Sequence, residues 1–308
     1  MNKRIISTIL ASLLSISLIP TDCLAKDFIC KNQASHCTPE IIENALDFNG
    51  KLTLKEYEDD PISRYLKNVF INKSVNGFDT KEHNWFSHPK GKGMSPDFPK
   101  DTFSLLSKYD CYYLGDTSKK VIYLTFDEGY ENGYTPKILD VLKKHKVKAA
   151  FFVVKPYINS NPEIINRMVK EGHLVCNHSA RHPSMASIKD QEKFNKELSD
   201  VEEAFKEVTE KNMPKYFRPP MGKYSELSLN YTKGYGYKTV FWSFAYADWE
   251  PTKQPSPASA KEKILNRTHN GAIVLLHAVS KTNAEILDDV VTEWKKQGYE
   301  IKSLDEFK

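Results

Sequence analysis

Two adjacent carboxylates and three histidines are the residue types in this sequence that could carry out hydrolysis. Asp127 and Glu128 follow the apolar run VIYLTF, and His178 and His182 stand four residues apart in NHSARH. Two imidazoles and one carboxylate are a common open site for a divalent ion. Such an ion lowers the pKa of its bound water toward about 7 and polarises a carbonyl oxygen. The second carboxylate could take the proton from that water, and His277, at the end of AIVLLH, could protonate the leaving group.

Arg218 and Asp248 could tune two of these groups. An arginine beside Asp127 would hold its carboxylate ionised, and an acid beside His277 would keep the imidazole protonated. Taken singly, each residue also fits an ordinary role, such as a solvated turn acid, a helix cap or a core histidine. Together they place polar groups at the exit ends of five apolar runs. Metal-assisted hydrolysis accounts for the whole set.

The apolar runs before these residues are predicted strands, and the amphipathic stretches between them are predicted helices. Strand and helix in alternation imply parallel strands joined by right-handed crossovers. We therefore predict an α/β fold, a distorted (β/α) barrel of about seven parallel strands, with its chemistry at the carboxyl ends of the strands. The strand runs are VIYLTF, AAFFVV, HLVCN, KYFRP, YKTVFWS, AIVLLH and YEIKS.

Five short segments resemble the five motifs of the polysaccharide deacetylase (NodB-homology) family, carbohydrate esterase family 4. They are TFDEG, HSARH, RPP, ADW and LLH, in this order. The longer segments YDCYYLGDTSKKVIYLTFDEGYENGYTPKILDVLKKHKV and GYKTVFWSFAYADW are similar to one subfamily, the delta-lactam-biosynthetic de-N-acetylases of spore-forming bacteria. The resemblance extends from about Trp85 to the C-terminus, and it implies the barrel fold of that family.

The resemblance also implies a role for each residue that matches a motif. Asp127 would be the general base and His277 the general acid, with Arg218 positioning the base and Asp248 completing the catalytic set. The ligands of a divalent ion would be Glu128, His178 and His182; zinc is expected, with cobalt or manganese as alternatives. The substrate-binding residues would be Trp249 as a hydrophobic wall, Leu275 in the acetyl pocket and Met221, whose backbone N–H would stabilise an oxyanion.

Two positions depart from the family pattern. Glu128 stands where the family has aspartate, and Met221 stands where an aromatic residue is usual. The change at Met221 is harmless if only the backbone acts. Glu128 keeps the charge of aspartate, but its longer side chain must fold back or displace the ion.

The reaction that the resemblance implies is removal of an N-acetyl group from N-acetylmuramic acid in peptidoglycan whose stem peptide an amidase has already removed. This step leads to the muramic delta-lactam of spore cortex. One alternative is a deacetylase of N-acetylglucosamine in peptidoglycan or of a chitin-like polymer. A glycosidase is disfavoured, because its two carboxylates come from different strands and the histidine pair would be unused. A further alternative is a non-catalytic, glycan-binding member of the fold.

The rest of the chain indicates export. Residues 1–25 read as a signal peptide, with Lys3 and Arg4 before an apolar run of about 15 residues that is short for a membrane span of about 20. An uncleaved anchor is the alternative. We expect an N-terminal extension, partly helical or extended, over residues 26–105 and the catalytic domain over 106–308. The protein would act outside the cytoplasm, in the cell wall or spore cortex space, without stable membrane insertion after cleavage.

Charge and cysteine usage limit the other function classes. The net charge is +4 and falls to +3 when Lys3, Arg4 and Asp22 leave with the signal, which is too small to indicate nucleic-acid binding. Cys30 and Cys37 lie close together in a polar segment, and the sequence is equally compatible with a disulfide between them and with two free thiols. The chain has no CxxC pair, so a structural zinc knuckle is not expected.

Overall fold

The computed structural model describes residues 74–75, 77–99 and 102–307 of the 308-residue chain. The predicted signal peptide and most of the predicted extension lie outside the described residues, as do Cys30 and Cys37. Cys111 and Cys176 are free thiols. Among the described residues, no helix has the length and apolar character that crossing a membrane requires.

A curled sheet of seven parallel strands positions the rest of the described chain. Its order is β10–β4–β5–β6–β7–β9, with β11 paired to the start of β4. In chain order the strands are β1 (Ser74–Val75), β2 (Phe78–Asp79), β3 (His83–Asn84), β4 (Val121–Glu128), β5 (Ala150–Val153), β6 (Leu174–Asn177), β7 (Tyr216–Phe217), β8 (Lys223–Tyr224), β9 (Lys238–Thr239), β10 (Ala272–His277) and β11 (Glu300–Lys302). The predicted distorted α/β barrel is confirmed, and each of the seven predicted runs contributes a strand.

Helices cover the outer face of this sheet. In chain order they are α1 (Phe103–Lys108), α2 (Thr135–Lys144), α3 (Lys155–Ser160), α4 (Pro162–Lys170), α5 (Gln191–Thr209), α6 (Glu226–Gly234), α7 (Pro257–Arg267) and α8 (Lys281–Lys296). Their starts follow ordinary capping chemistry: the Asp190 side chain accepts from the Lys193 N–H at α5, and Ser280 accepts from the Asn283 N–H at α8.

The central strand β4 is buried on both faces, and alternate residues enter two different clusters. Ile122, Leu124 and Phe126 pack with apolar side chains of the helices in the outer layer. Val121 and Tyr123 pack on the opposite face, with side chains from neighbouring strands. This alternation decides which side of the sheet each acid at the end of β4 faces.

The segment before the barrel packs against it. β3 pairs antiparallel with β8, and Trp85 is buried in an aromatic cluster where its ring stacks on Phe98 and Phe241. The predicted boundary between extension and catalytic domain at residue 105 stays a prediction.

Candidate active site

The polar residues that the sequence singled out gather at the carboxyl edge of the sheet. Asp127 lies at the end of β4, and His277 ends β10 as its direct partner in the strand register. His178 follows β6 immediately, and Arg218 follows β7. Asn177 and Phe217, the last residues of β6 and β7, are themselves register partners. Parallel pairing therefore carries these side chains to one edge, as the fold requires.

Arg218 is fully buried and is held by four hydrogen bonds. Its Nη1 lies 2.7 Å from Asp127 Oδ1, and its Nη2 donates to Thr125 Oγ1 at 2.9 Å. Nε donates to the carbonyl oxygen of Val240 at 3.1 Å, and Nη2 also donates to that of Phe241 at 3.2 Å. The guanidinium is thus fixed in position and orientation, and it presents one positive charge to Asp127.

The pKa of Asp127 lies below its ordinary value of 3.8. Burial alone would raise this pKa, but the charge of Arg218, with smaller contributions from His178 and His277, outweighs burial. Asp127 is therefore a carboxylate throughout the neutral range. An ionised, rigidly held carboxylate can accept a proton from water, as the role of general base requires.

His178 and His182 lie side by side next to Asp127. Their ring centroids are 4.9 Å apart, and His178 Nε2 is 3.6 Å from Asp127 Oδ2. His178 Nδ1 lies 2.7 Å from the carbonyl oxygen of Arg218, which can only accept, so Nδ1 carries the proton and Nε2 keeps its lone pair. Burial lowers the pKa of His178 to about 4, which favours the neutral imidazole that metal ligation uses.

His277 is held by Asp248 on the other side of Asp127. Asp248 Oδ1 lies 2.7 Å from His277 Nδ1, and Oδ2 accepts from the His277 backbone N–H at 2.9 Å. Asn283 Nδ2 donates to the same Oδ2 at 2.6 Å. Burial lowers the pKa of His277, but the Asp248 carboxylate more than offsets it, so the net shift is upward from 6.5. His277 is therefore suited to donate a proton from Nε2.

The predicted substrate-binding residues differ in exposure. Trp249 is 56% exposed, and its ring centroid lies 5.9 Å from that of His277. Met221 is 51% exposed and adopts a left-handed backbone conformation, with φ 58°. Leu275 is buried in β10. An exposed tryptophan beside His277 offers an apolar surface, as the predicted hydrophobic wall requires.

Glu128 is the residue that the structure places apart. β4 continues through Glu128, which pairs with Val153 of β5, so the two acids alternate to opposite faces of the strand. The sequence had suggested that the strand ends before both acids. The Glu128 carboxylate is fully buried, and neither of its oxygens has a hydrogen-bond partner among the described residues. Burial, then the charges of Glu131 and Asp127, raise its pKa well above 4.5.

The residues as arranged do not fit a bound metal ion. No group of three or more histidine, cysteine, aspartate or glutamate side chains among the described residues is placed to hold one. The structure brings His178 and His182 together, whereas Glu128 enters the surroundings of Glu131 and Tyr157. The assignment of Glu128, His178 and His182 as a ligand set stays a prediction.

Two residues of the site were missed by the sequence reasoning. Thr125 binds Arg218, and strand alternation could have found it because it lies two residues before Asp127 on the same face. Asn283 binds Asp248 from the first turn of α8, and it has no pattern in the sequence that marks it.

Comparison with known proteins identifies the family. Residues 114–240 match the sequence profile of the polysaccharide deacetylases. The chain belongs to the polysaccharide deacetylase family, carbohydrate esterase family 4, whose members are hydrolases that act on amides and are in general metal-dependent.

Two relatives within the family differ in the sugar they act on. The peptidoglycan-N-acetylmuramic acid deacetylase PdaA of Bacillus subtilis is 48% identical over 223 residues, which cover 72% of this chain and 84% of the relative. The solved structure of B. subtilis PdaA, a family 4 carbohydrate esterase, matches with a TM-score of 0.72 at 46% identity, over 74% of this chain and 97% of that one. The peptidoglycan-N-acetylglucosamine deacetylase PgdA of Listeria monocytogenes is 36% identical over 61% of this chain and 39% of the relative.

Asp248→Asn should lower the pKa of His277. Asparagine keeps the shape of the side chain but removes the charge that raises this pKa. NMR titration of the His277 ring should show the midpoint moving to lower pH, and the alkaline limb of kcat/KM should move with it. Activity should fall about 10²–10⁴-fold, the usual contribution of a general acid. An unchanged His277 titration would contradict this account of the pair.

Glu128→Gln should leave the protein folded and should reduce the loss of folding stability that the wild type shows as pH rises. A raised folded-state pKa means that the unfolded chain ionises first, so the stability of the wild type falls as pH rises above 4.5. Glutamine has the same shape and cannot ionise. Urea unfolding at two pH values should show the variant gaining stability over the wild type as pH rises. Glu207→Gln, on the exposed face of α5, is the control. Strong destabilisation of Glu128→Gln at both pH values would contradict the neutral buried acid.

Proposed function

We propose that this protein hydrolyses the N-acetyl group of N-acetylmuramic acid in peptidoglycan. The observation that carries the proposal is the opposite tuning of two neighbouring groups. Asp127 and His277 are register partners on β4 and β10; the pKa of the first lies below 3.8, and that of the second lies above 6.5. Neighbouring groups whose pKa values are shifted in opposite directions act as base and acid in hydrolytic enzymes.

In the proposed reaction, Asp127 takes a proton from a water molecule whose oxygen attacks the acetyl carbonyl carbon. The developing oxyanion would be stabilised by the backbone N–H of Met221. His277 then gives its proton to the amide nitrogen as the C–N bond breaks, which releases acetate and the free amine of the sugar. Arg218 keeps Asp127 ionised, and Asp248 keeps His277 protonated. Trp249 and Leu275 would hold the sugar and the acetyl methyl group.

The family resemblance favours a divalent ion, zinc first, on Glu128, His178 and His182. The neutral His178 suits ligation, whereas the buried position of Glu128 does not. Chelation and add-back of the ion in the acetate-release assay test the metal requirement directly.

The proposed substrate is a glycan whose muramic residues have lost their stem peptides to an amidase. Similarity to a relative named as an N-acetylmuramic acid deacetylase supports this choice. The freed amine could then close on the lactyl carboxylate to give the muramic delta-lactam of spore cortex. Such a role places the protein outside the cytoplasm, where its substrate lies.

N-acetylglucosamine in peptidoglycan is the second candidate substrate. The relative named as a peptidoglycan-N-acetylglucosamine deacetylase supports it, at 36% identity against 48% for the muramic acid deacetylase. The difference in identity favours muramic acid.

Acetate release should distinguish these readings. The wild type should release acetate from peptide-free, muramic-containing glycan much faster than from intact peptidoglycan or N-acetylglucosamine oligomers. Asp127→Asn, which loses the base, should reduce the rate about 10²–10⁴-fold while remaining folded. Chelation and add-back of zinc, cobalt or manganese test the ion in the same assay.

Two other outcomes of the acetate-release assay would change or overturn the proposal. Preference for the N-acetylglucosamine oligomers would replace the muramic substrate with the second candidate. Absence of acetate release from all three glycans, with or without metal, would indicate a non-catalytic glycan-binding protein and overturn the proposal.

A further inference from the structure

We propose that Glu82, in the segment before the barrel, is a positioning residue for the deacetylation reaction. It joins two loops of the active site: the histidine loop, residues 178–187, and the oxyanion loop, residues 219–224. The inference rests on the proposed function, because it concerns the spacing between His182 and the backbone N–H of Met221. Glu82 lies before Trp85, where the family resemblance begins, and within the predicted N-terminal extension of residues 26–105.

Glu82 contacts one residue from each loop. Its Oε1 lies 2.8 Å from Lys223 Nζ, two residues after Met221. Its Oε2 accepts a hydrogen bond from Ser184 Oγ, two residues after His182. A single carboxylate therefore binds both loops at the same time. These contacts hold the pKa of Glu82 below 4.5, so it is ionised when the enzyme works.

Backbone pairing holds the residues next to Glu82 in place. β3 begins at the next residue and pairs with β8, so His83 lies opposite Tyr224 and Asn84 opposite Lys223. The Trp85 backbone N–H donates to the carbonyl oxygen of Gly222 at 2.8 Å. The Trp85 indole N–H donates to the carbonyl oxygen of Trp242 at 2.8 Å. The segment is thus attached to the oxyanion loop by backbone bonds, and the Trp85 side chain attaches it to Trp242 as well.

Both loops hold residues in conformations that need external support. Met221 and Gly222 are consecutive left-handed residues, with φ 58° and 66°, and the histidine loop has Ser179 at 67° and His182 at 59°. A left-handed conformation is unfavourable for a residue other than glycine, so it persists only where surrounding contacts enforce it. At Gly222 a Cβ atom would lie 2.8 Å from the Trp242 ring and 3.3 Å from Trp85 Cβ. The segment that carries Glu82 therefore packs directly on the oxyanion loop.

A positioning role and a merely structural role predict different measurements. The Glu82–Lys223 pair is about one-third exposed on each side, and ion pairs this exposed contribute little to stability. If the pair had only a structural role, its removal would change neither the Tm nor kcat by much. Misplacing a catalytic group by about 1 Å, by contrast, can reduce the rate about 10²-fold. A selective loss in kcat would therefore report positioning.

The test compares Glu82→Ala with Glu82→Gln and with a matched ion-pair control, all in the full chain. Glutamine keeps one oxygen that can accept from Lys223 Nζ, and its amide nitrogen can donate to Ser184 Oγ, so both loops can still be joined. The control is Asp289→Ala, which removes the exposed pair between Lys261 on α7 and Asp289 on α8, joined at 2.7 Å. Acetate release from peptide-free muramic glycan gives kcat and KM, and thermal unfolding gives Tm.

Glu82→Ala should lower kcat about 10-fold or more, with KM within about twofold of the wild type, since a small loop displacement affects the transition state most. Its Tm should fall by no more than about 4 °C, the shift expected for about 1 kcal/mol in a domain of this size. Glu82→Gln should recover most of the lost kcat, and Asp289→Ala should keep the wild-type kcat.

Three results would overturn the inference. One is an unchanged kcat in Glu82→Ala, and another is an equal loss of kcat in Asp289→Ala. The third is a fall in kcat that Glu82→Gln does not recover. A wild type that releases no acetate from any glycan would instead remove the proposed function together with this inference. The two failures are therefore distinguishable.

Discussion

The buried ion pair between Arg218 and Asp127 is the interaction on which the active site depends. A guanidinium removed from water is costly unless its donors find partners, and Arg218 makes four hydrogen bonds, to Asp127, Thr125 and two backbone carbonyls. Its planar group also lies over the Phe152 ring, with 4.1 Å between the guanidinium carbon and the ring centroid. The backbone carbonyl of the same residue accepts from His178. Arg218 therefore sets both the charge of Asp127 and the orientation of His178.

The second constraint is the two-residue period of β4. Asp127 and Glu128 are adjacent in sequence, but a strand directs adjacent side chains to opposite faces. Asp127 meets Arg218 on the face that carries Thr125, and Glu128 enters the side that faces the helices, near Tyr157. The longer side chain of Glu128 matters less than its direction. This is why similarity to a metal-dependent family does not by itself assign a ligand role to this residue.

The seven strands and several residues of the candidate site were predictable from the sequence. Apolar runs ending in polar residues predicted the seven strands and the edge at which Asp127, His178, Arg218 and His277 meet, because parallel strands end together. The length of β4 was not predictable to the residue. The strand continues through Asp127 and Glu128, so the Glu128 side chain lies on the face opposite to that of Asp127. Asn283 and Glu82 were missed for another reason. Each reaches the site from an element distant in sequence, so no local pattern marks it.

Titration of the Asp127 carboxyl group by ¹³C NMR would test the central claim most directly, with the resonance assigned by its absence from the Asp127→Asn spectrum. The account predicts a midpoint below 3.8, because the charge of Arg218 outweighs the burial of the carboxylate. A midpoint above 3.8 would show that burial dominates. It would contradict the assignment of Asp127 as a base held ionised by Arg218.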